Sequence, residues 1–399
     1  MHNLKRISIA IFLIAFSFRF SSTLRHSPTP DNVYEPTKVA LSLANHGSFA
    51  DPFLIPTGPT AHVAPAFPLI LSVVYRIFGD GEAGETGKRV LTCFVSSLQY
   101  ALLPWLAGVF GLAPSVGLAA ALFGTVLPLQ RYAESASSWE SPWAAVLLMI
   151  LSAMTSEPKI RARFGPIWTG AIWTGAVWGV ALLFAPALAS VYVGFLWLLR
   201  RHWRAAALSI GITMLCLSPW AYRNHRQLGS WIWLTDNLGL ELSISNGDGS
   251  ASGMDANLRA NYLNRFHPSG SIAEALQVGQ LGEVAYNNRR LAQALHWIAT
   301  HPTQFCKLTA ARAFYFWFPG IYLALVTLLA FAGLFHTFRT EPKTAAIFAT
   351  IWIAYPLIFY IVQFDRRYRH PIEWSILLMA AQGLFVLMRV HSRLKAVRR

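Results

Sequence analysis

Apolar and polar residues occur in long separate blocks along the chain, and this pattern predicts transmembrane helices. Charged side chains are costly in the hydrocarbon core of a bilayer, and about 20 apolar residues suffice to cross it. Segments free of Asp, Glu, Lys and Arg lie at about residues 90–111, 115–130, 141–155, 166–184, 206–221, 345–363 and 374–388. With the shorter apolar segments, they predict an all-α multispanning membrane protein with about ten to eleven spans.

Basic residues between the apolar segments indicate which loops face the cytoplasm. Lys5 and Arg6 place the N-terminus inside, and the apolar segment after them is expected to be an uncleaved anchor. Alternation of the later segments then puts a long first loop, residues 21–89, and a short second loop, residues 131–140, on the outer side. We expect the functional site on that outer face.

The same alternation divides the chain into three units. Residues 1–221 are expected to form an N-terminal transmembrane catalytic module, and 319–399 the C-terminal transmembrane helices. Between them, 222–318 is expected to form a small extracytoplasmic subdomain with helices at about 273–300. The apolar segment at 67–78 is too short to span, so we expect an interfacial or re-entrant helix there.

Composition excludes several classes of function. The formal net charge of +15 is spread between the apolar segments, so it indicates membrane anchoring and not a nucleic-acid partner. The three cysteines, Cys93, Cys216 and Cys306, have no paired spacing and support neither a disulfide framework nor a zinc site. No zinc-protease, phosphate-loop or nucleophile-elbow motif occurs. We expect no cofactor and no required metal.

One loop departs from the rule that basic residues lie inside. Arg366, Arg367 and Arg369 fall on the outer side, which an anionic ligand would explain; a loop that tolerates these charges, or a topology miscounted by one helix, is the alternative. The carboxylates Asp31 and Glu140 belong to the two outer loops on the same face. A carboxylate can deprotonate an acceptor hydroxyl, and guanidinium groups bind phosphate. Their convergence on one face predicts chemistry on a phosphorylated lipid.

Short patterns follow one another along the chain in an order typical of one family. They comprise Asp31, Tyr34, Ala40, Leu43, Gly47, Pro65, Phe67, Pro68, Glu140, Gly175, Gly179, Leu182, Pro186, Pro219, Trp220, Arg223, Asn224, Gly229, Asn237, Gly239, Leu240, Asn246, His301, Pro302, Arg367, Tyr368, Arg369 and Pro371. Over most of its length the chain thus resembles the polyprenyl-phosphate-sugar glycosyltransferases of the GT-C superfamily, particularly family 39, the protein mannosyltransferase and lipid A aminoarabinose transferase type. Two positions differ: Ala185 stands where a basic residue is common, and Asn32 where an acidic residue or Gly is common.

The resemblance implies a GT-C-like helix bundle that transfers a sugar from a polyprenyl-phosphate donor to an acceptor, with inversion at the anomeric carbon. It implies Asp31 as the general base that activates the acceptor. Glu140 would orient the acceptor or Asp31. The residues implied for the donor phosphate are Arg367, Arg369 and Arg223, and possible substrate contacts are Tyr34, His62 and Asn224.

The implied partners are a polyprenyl-phosphate-linked sugar, an acceptor glycan, lipid or protein, and the bilayer. The implied location is a bacterial-type inner (plasma) membrane, with the site on the periplasmic face. Two alternatives stay open at this point: a transporter or flippase for a lipid-linked sugar, and a catalytically inert membrane protein of envelope assembly. Transporters commonly show inverted repeats and ionisable residues at mid-membrane, and neither is visible in the sequence.

Overall fold

The computed structural model describes residues 2–24, 34–126, 139–156 and 167–397. Within these residues the protein is helical, and the only β-type pairings are two isolated bridges, Ala50 with Pro59 and Gly253 with Phe364. This confirms the predicted all-α fold. The predicted base, Asp31, lies outside the described residues.

The first part of the chain contributes nine helices in its described residues, and most of them are apolar. They are α1 (His2–Leu24), α2 (Glu35–His46), α3 (Ala66–Phe78), α4 (Glu82–Val109), α5 (Pro114–Val126), α6 (Ser141–Ser156), α7 (Ile167–Phe184), α8 (Ala189–Leu198) and α9 (Trp203–Leu228). The predicted short helix at 67–78 is α3, which has only 13 residues. That length is below what a span needs.

The later part begins with short helices and ends with long apolar ones. They are α10 (Leu238–Ser245), α11 (Met254–Arg259), α12 (Leu263–Phe266), α13 (Ile272–Leu281), α14 (Glu283–Thr300), α15 (Pro302–Trp317), α16 (Ile321–Thr340), α17 (Pro342–Ala354), α18 (Leu357–Ile361) and α19 (His370–Val397). A 3₁₀ turn at Arg366–Arg369 leads into α19. The helices predicted at about 273–300 are α13 and α14.

Five stretches of the described chain are long and apolar enough to cross a membrane: Glu82–Val109, Arg200–Leu228, Ile321–Thr340, Pro342–Ile361 and Arg366–Arg389. Five shorter apolar helices of 10–17 residues accompany them. Length and hydropathy therefore support a multispanning protein. The count of about ten to eleven spans depends on the shorter helices and stays a prediction.

Small residues allow the long helices to approach closely. A Cβ atom placed on Gly333 of α16 would lie 1.9 Å from the carbonyl oxygen of Met379 in α19, and one on Gly383 would lie 2.1 Å from that of Leu329. Gly175 of α7 similarly lies against the backbone of α9. Membrane helices commonly associate through such small residues, because lipid supplies little hydrophobic drive for their packing.

The helix α4 begins at Glu82, eight residues before the apolar segment predicted at 90–111. Two charged residues of its first turns, Glu85 and Lys88, are buried. Lys88 Nζ lies 2.8 Å from Glu85 Oε2, and the Tyr75 hydroxyl donates to Glu85 Oε1 at 2.7 Å. Charged residues that are paired and hydrogen-bonded can be buried where isolated ones cannot. Because the prediction required a segment free of charge, it placed the start of this helix too late.

The region between α9 and α16 has its own hydrophobic core, separate from that of the bundle. Leu240, Ile244, Val278 and Tyr286 pack together there, and Phe53 of the first loop joins them. The first loop is therefore fixed against this region. We refer to helices α10–α15 and the segments between them as the subdomain.

Candidate functional site

A large cavity lies where the two loops, the subdomain and the segment before α19 meet. Its volume is about 1580 Å³. Its polar lining includes Tyr34, Glu35, His62, Glu140, Glu241, His267 and Arg367. The structure thus brings four residues predicted for the site, namely Tyr34, His62, Glu140 and Arg367, to one cavity.

One side of the cavity, which we call the basic wall, consists of Trp139, Arg367 and Tyr368. The Arg367 guanidinium lies over the Trp139 ring, 3.4 Å from its centroid, in a cation–π contact. Among the described residues its nearest carboxylate oxygen, Asp365 Oδ1, is 4.0 Å from Nε and already accepts a 2.8 Å hydrogen bond from the Arg367 backbone N–H. Because that ion pair is long, the charge on Arg367 is only partly neutralised and can bind an anion.

Glu140 and Tyr34 adjoin the basic wall from the two loops. Glu140 lies directly before α6. Burial raises the pKa of Glu140, and its backbone hydrogen bond and the charge of Arg367 oppose this effect only in part. The Tyr34 ring meets Trp139 edge to face with centroids 5.4 Å apart. The second-loop residues Trp139 and Glu140 are therefore held between the first loop and the segment that carries Arg367.

A second group of cavity residues, which we call the histidine wall, consists of Glu35, His62 and His267. Ser269 Oγ donates a 2.5 Å hydrogen bond to Glu35 Oε1. Burial raises the pKa of Glu35, but the charges of His267 and His62 and this hydrogen bond outweigh it, so that its pKa lies below the ordinary value. Burial lowers the pKa of His62 to about 4, which keeps its imidazole neutral at pH 7.

Ligand atoms of Glu35, His62 and His267 lie within 4.8 Å of one another, so these residues could hold a metal ion. The Ser269 backbone N–H, however, donates to His267 Nδ1 at 3.0 Å. In the neutral imidazole this places the proton on Nε2. A cation at His267 would therefore have to displace either the Ser269 amide or that proton.

Glu241 on α10 is a cavity residue that the sequence analysis missed. Among the described residues its carboxylate has no hydrogen bond and no ion pair. Burial raises its pKa; the charges of His267 and Arg367 lower it, and that of Glu35 raises it further. Its charge therefore interacts with groups of both walls. The signal in the sequence was a single acid within the otherwise uncharged helix Leu238–Ser245.

Three other predicted site residues have partners within the protein. Arg369 is fully buried, and its Nε donates to Glu373 Oε2 at 2.7 Å, one helical turn away. Arg223 donates to the carbonyl oxygens of Thr60 and Phe49, each at 2.6 Å. Asn224 is buried and donates to the Ile232 carbonyl at 2.9 Å. None of the three lines the cavity. Their polar groups instead donate to backbone carbonyl oxygens or form an internal ion pair.

A buried carboxylate of the subdomain, that of Glu283, holds the first loop by hydrogen bonds next to His62. Glu283 accepts hydrogen bonds from the Thr60 hydroxyl and, at 2.6 Å, from the Ala61 backbone N–H. Thr60 Oγ1 in turn accepts the backbone N–H of His62 at 2.9 Å. Burial raises the pKa of Glu283 to about 7, although the hydrogen bonds from Thr60 and Ala61 lower it. His62 thus depends on Glu283 for its place in the histidine wall.

No protein-family model and no curated protein matches the chain. Solved structures do match it, among them three of the oligosaccharyltransferase from Archaeoglobus fulgidus: a complex with Zn and sulfate, the apo form, and a form tethered by a disulfide bond to an acceptor peptide with the NVT sequon. Their TM-scores are 0.54, 0.55 and 0.54 at 14%, 13% and 15% identity. The matches cover 97%, 98% and 100% of this chain and 50%, 51% and 51% of those chains.

At this level of identity the likeness shows the fold alone. The chain shares the helical fold of these structures, which is consistent with the GT-C-like bundle expected from its sequence, and it spans about half the length of the structures that it matches.

Proposed function

We propose that the protein is an integral membrane glycosyltransferase that uses a polyprenyl-phosphate sugar as donor. The observation that carries this proposal is the single cavity in which Arg367, with its charge partly free, faces the carboxyl groups of Glu140 and Glu241. A guanidinium group can bind the departing phosphate, and a carboxylate can take the proton of the acceptor. The GT-C-like fold of the matched oligosaccharyltransferase supports the same class of reaction.

The cavity also suits a lipid-linked donor. Beside its charged walls it has apolar lining from the end of α7, the turn after it, and the short helix α18 with the residue that follows: Phe184, Pro186, Ile358, Phe359 and Val362. A polyprenyl chain would lie along this apolar side, with its phosphate at the basic wall. The sugar would then extend towards Glu140 and Glu241.

The reaction follows from these positions. An acceptor hydroxyl attacks the anomeric carbon, its proton passes to a carboxylate, and the bond from that carbon to the phosphate oxygen breaks with the electron pair leaving on the polyprenyl phosphate. Attack from the face opposite the leaving group inverts the configuration. We assign the base to Asp31 and the orienting role to Glu140, with Arg367 at the phosphate.

The finer features of the proposal come from the sequence. Its order of motifs resembles family 39, which favours a polyprenyl monophosphate carrier and a site on the periplasmic face of a bacterial inner membrane. The acceptor is a glycan, a lipid or a protein. The matched oligosaccharyltransferase was captured with an acceptor peptide, so a peptide belongs in the set of acceptors to be tested.

The experiment compares the wild type with Asp31→Asn in lipid nanodiscs. Each is offered a panel of polyprenyl-phosphate sugars and acceptors, with a chelator present, and release of free polyprenyl phosphate is measured. We expect release by the wild type and none by Asp31→Asn. Asp51→Asn is the matched control, because Asp51 belongs to the same loop but only accepts the Thr57 and Gly58 amides at 2.9 and 2.8 Å.

Two results would count against the proposal. Normal release by Asp31→Asn would remove Asp31 from the role of base. Binding of the lipid without release in any acceptor mixture would favour a flippase or an inert envelope protein. Release by the wild type that appears only when the chelator is omitted would instead point to a cation at the histidine wall.

A further inference from the structure

The segment Ile361–Phe364 connects α18, which ends at Ile361, to the turn that carries Arg367, and its residues after Ile361 are not helical. Val362 is extended, with φ −108° and ψ 163°. Extended backbone inside a protein needs hydrogen-bond partners from elsewhere, and here the subdomain supplies them. The Gln363 N–H donates to Ser245 Oγ at 2.7 Å, and the Phe364 N–H donates to the Ser252 carbonyl at 2.8 Å.

Arg312 on α15 forms the centre of this contact. Its Nη1 donates to the Ile361 carbonyl at 3.1 Å and to Asn246 Oδ1 at 3.0 Å, while Nη2 donates to the Ser245 carbonyl. Asn246 Nδ2 also donates to the Ile361 carbonyl, at 2.8 Å. The guanidinium group therefore joins the end of α10 to the first residue of the connecting segment.

The burial of Arg312 is unusual for its charge. The side chain is fully buried, and no described carboxylate lies within ion-pair distance of it. Burial lowers the pKa of Arg312 to about 10, so the group stays charged at neutral pH. Burying a cation without an acidic partner costs free energy, and an apolar side chain would avoid this cost. The planar guanidinium group of an arginine, however, can donate hydrogen bonds to Asn246 Oδ1 and to the carbonyl oxygens of Ile361 and Ser245 at the same time.

We propose that Arg312 is a positioning residue of the donor site, which holds the Ile361–Phe364 segment so that Arg367 is placed at the basic wall. This inference rests on the proposed function, since it assigns to the subdomain a part in binding the donor. Arg312 itself does not line the cavity. It acts through the backbone that leads to Arg367.

The first test needs no substrate. Hydrogen–deuterium exchange of residues 361–368 is compared in the wild type, Arg312→Met and Arg312→Lys, the last of which keeps the charge and most of the volume. We expect exchange at least tenfold faster in both variants, with the long helices still protected. Lys307→Met is the matched control, because Lys307 is exposed on the same helix and should leave exchange unchanged. Wild-type exchange in folded Arg312→Lys would overturn the proposal.

The second test asks whether Arg312 acts through Arg367. The dissociation constant for undecaprenyl phosphate is measured in nanodiscs for the wild type, Arg312→Lys, Arg367→Met and the double variant. We expect about tenfold weaker binding in Arg312→Lys, and a double variant no weaker than Arg367→Met alone. Fully additive losses would overturn the proposal. If the wild type does not bind the lipid, the proposed function fails, and the exchange experiment still decides the role of Arg312.

Discussion

The basic wall and the histidine wall face the same cavity, but their charges are satisfied in different ways. At the basic wall the Arg367 guanidinium lies over the Trp139 ring, and the nearest carboxylate oxygen in the described part of the chain is 4.0 Å away. At the histidine wall Glu35 accepts a hydrogen bond from Ser269, and ligand atoms of His62 and His267 lie within 4.8 Å of it. The first wall keeps a cation available, whereas the anion of the second is already hydrogen-bonded.

Under the proposed function, this difference leads us to expect different substrate groups at the two walls. An anionic phosphate gains most where a cation is only partly neutralised, and gains little beside a buried carboxylate. We therefore expect the donor phosphate at the basic wall and the acceptor on the side of the histidine wall. The charge of Glu241 interacts with groups of both walls.

Among the variants that compare the two walls, Arg367→Met should have the largest effect on catalysis. It keeps the stem that packs near Trp139 but removes the cation, and loss of one such stabilising group commonly costs about 100-fold in rate. We expect kcat/KM for the polyprenyl-phosphate sugar to fall by about that factor, with thermal stability nearly unchanged. Steady-state kinetics with the donor varied would measure it.

Arg369→Met is the control two residues away, and its effect should be on stability instead. Arg369 is paired with Glu373 away from the cavity, so its loss leaves a buried carboxylate without a partner. Breaking such a pair costs about 3–5 kcal/mol. The melting temperature should fall while the folded fraction binds donor normally. If Arg369→Met lost donor affinity and Arg367→Met did not, the assignment of the basic wall would be wrong.

The sequence predicted the membrane character and several of the cavity residues for a physical reason. Charge-free segments mark spans, and their alternation places the loops that carry Glu140 and Arg367 on one face. Tyr34 and His62, in the first loop of that face, were implied by the family resemblance. Loops on the same face of the membrane lie near one plane, and their packing brings these four residues to one cavity. Residues from separate loops could therefore be proposed for one site although their distances were unknown.

Other features required the structure, because they depend on contacts between distant segments. Arg223 resembles a phosphate ligand in the sequence, but its partners are the carbonyls of Phe49 and Thr60. Glu241, His267 and Arg312 come from a polar region in which many charged residues are simply solvated. Arg369 is a different case: its spacing of four from Glu373 is visible in the sequence and was a sign of a helical ion pair.

Glu241→Gln should lower catalytic efficiency less than Arg367→Met does. This variant tests whether Glu241, whose charge interacts with groups of both walls, contacts the acceptor. The amide keeps the size of the side chain but cannot accept a proton, so an interaction with the acceptor weakens while the donor site stays intact. We expect about a tenfold loss in kcat/KM for the acceptor, within the range typical of lost hydrogen bonds to charged groups. Donor KM should not change.

The control for this variant is Glu274→Gln. Glu274 belongs to the same subdomain but accepts the Tyr286 hydroxyl outside the cavity, at 2.6 Å, and an amide oxygen can still accept that bond. Its kinetics should match the wild type. Equal activity of Glu241→Gln and the wild type across acceptors would show that Glu241 contributes no substrate contact.

The smallest expected effect is on the pH dependence of stability, and it comes from Glu283, which holds the first loop next to His62 by hydrogen bonds. Its folded-state pKa is raised to about 7 from an ordinary value of 4.5. Between these values the folded protein holds a proton that the unfolded chain has lost, so this contribution to stability is complete below about pH 4.5 and declines as pH rises to about 7. The slope is at most about 1.4 kcal/mol per pH unit. Glu283→Gln does not titrate, and subtracting its pH profile of melting temperature from that of the wild type removes the contribution of His62. The difference should decline across this window, whereas a flat difference would mean that Glu283 is ionised in the folded protein and that the first loop is held by charge.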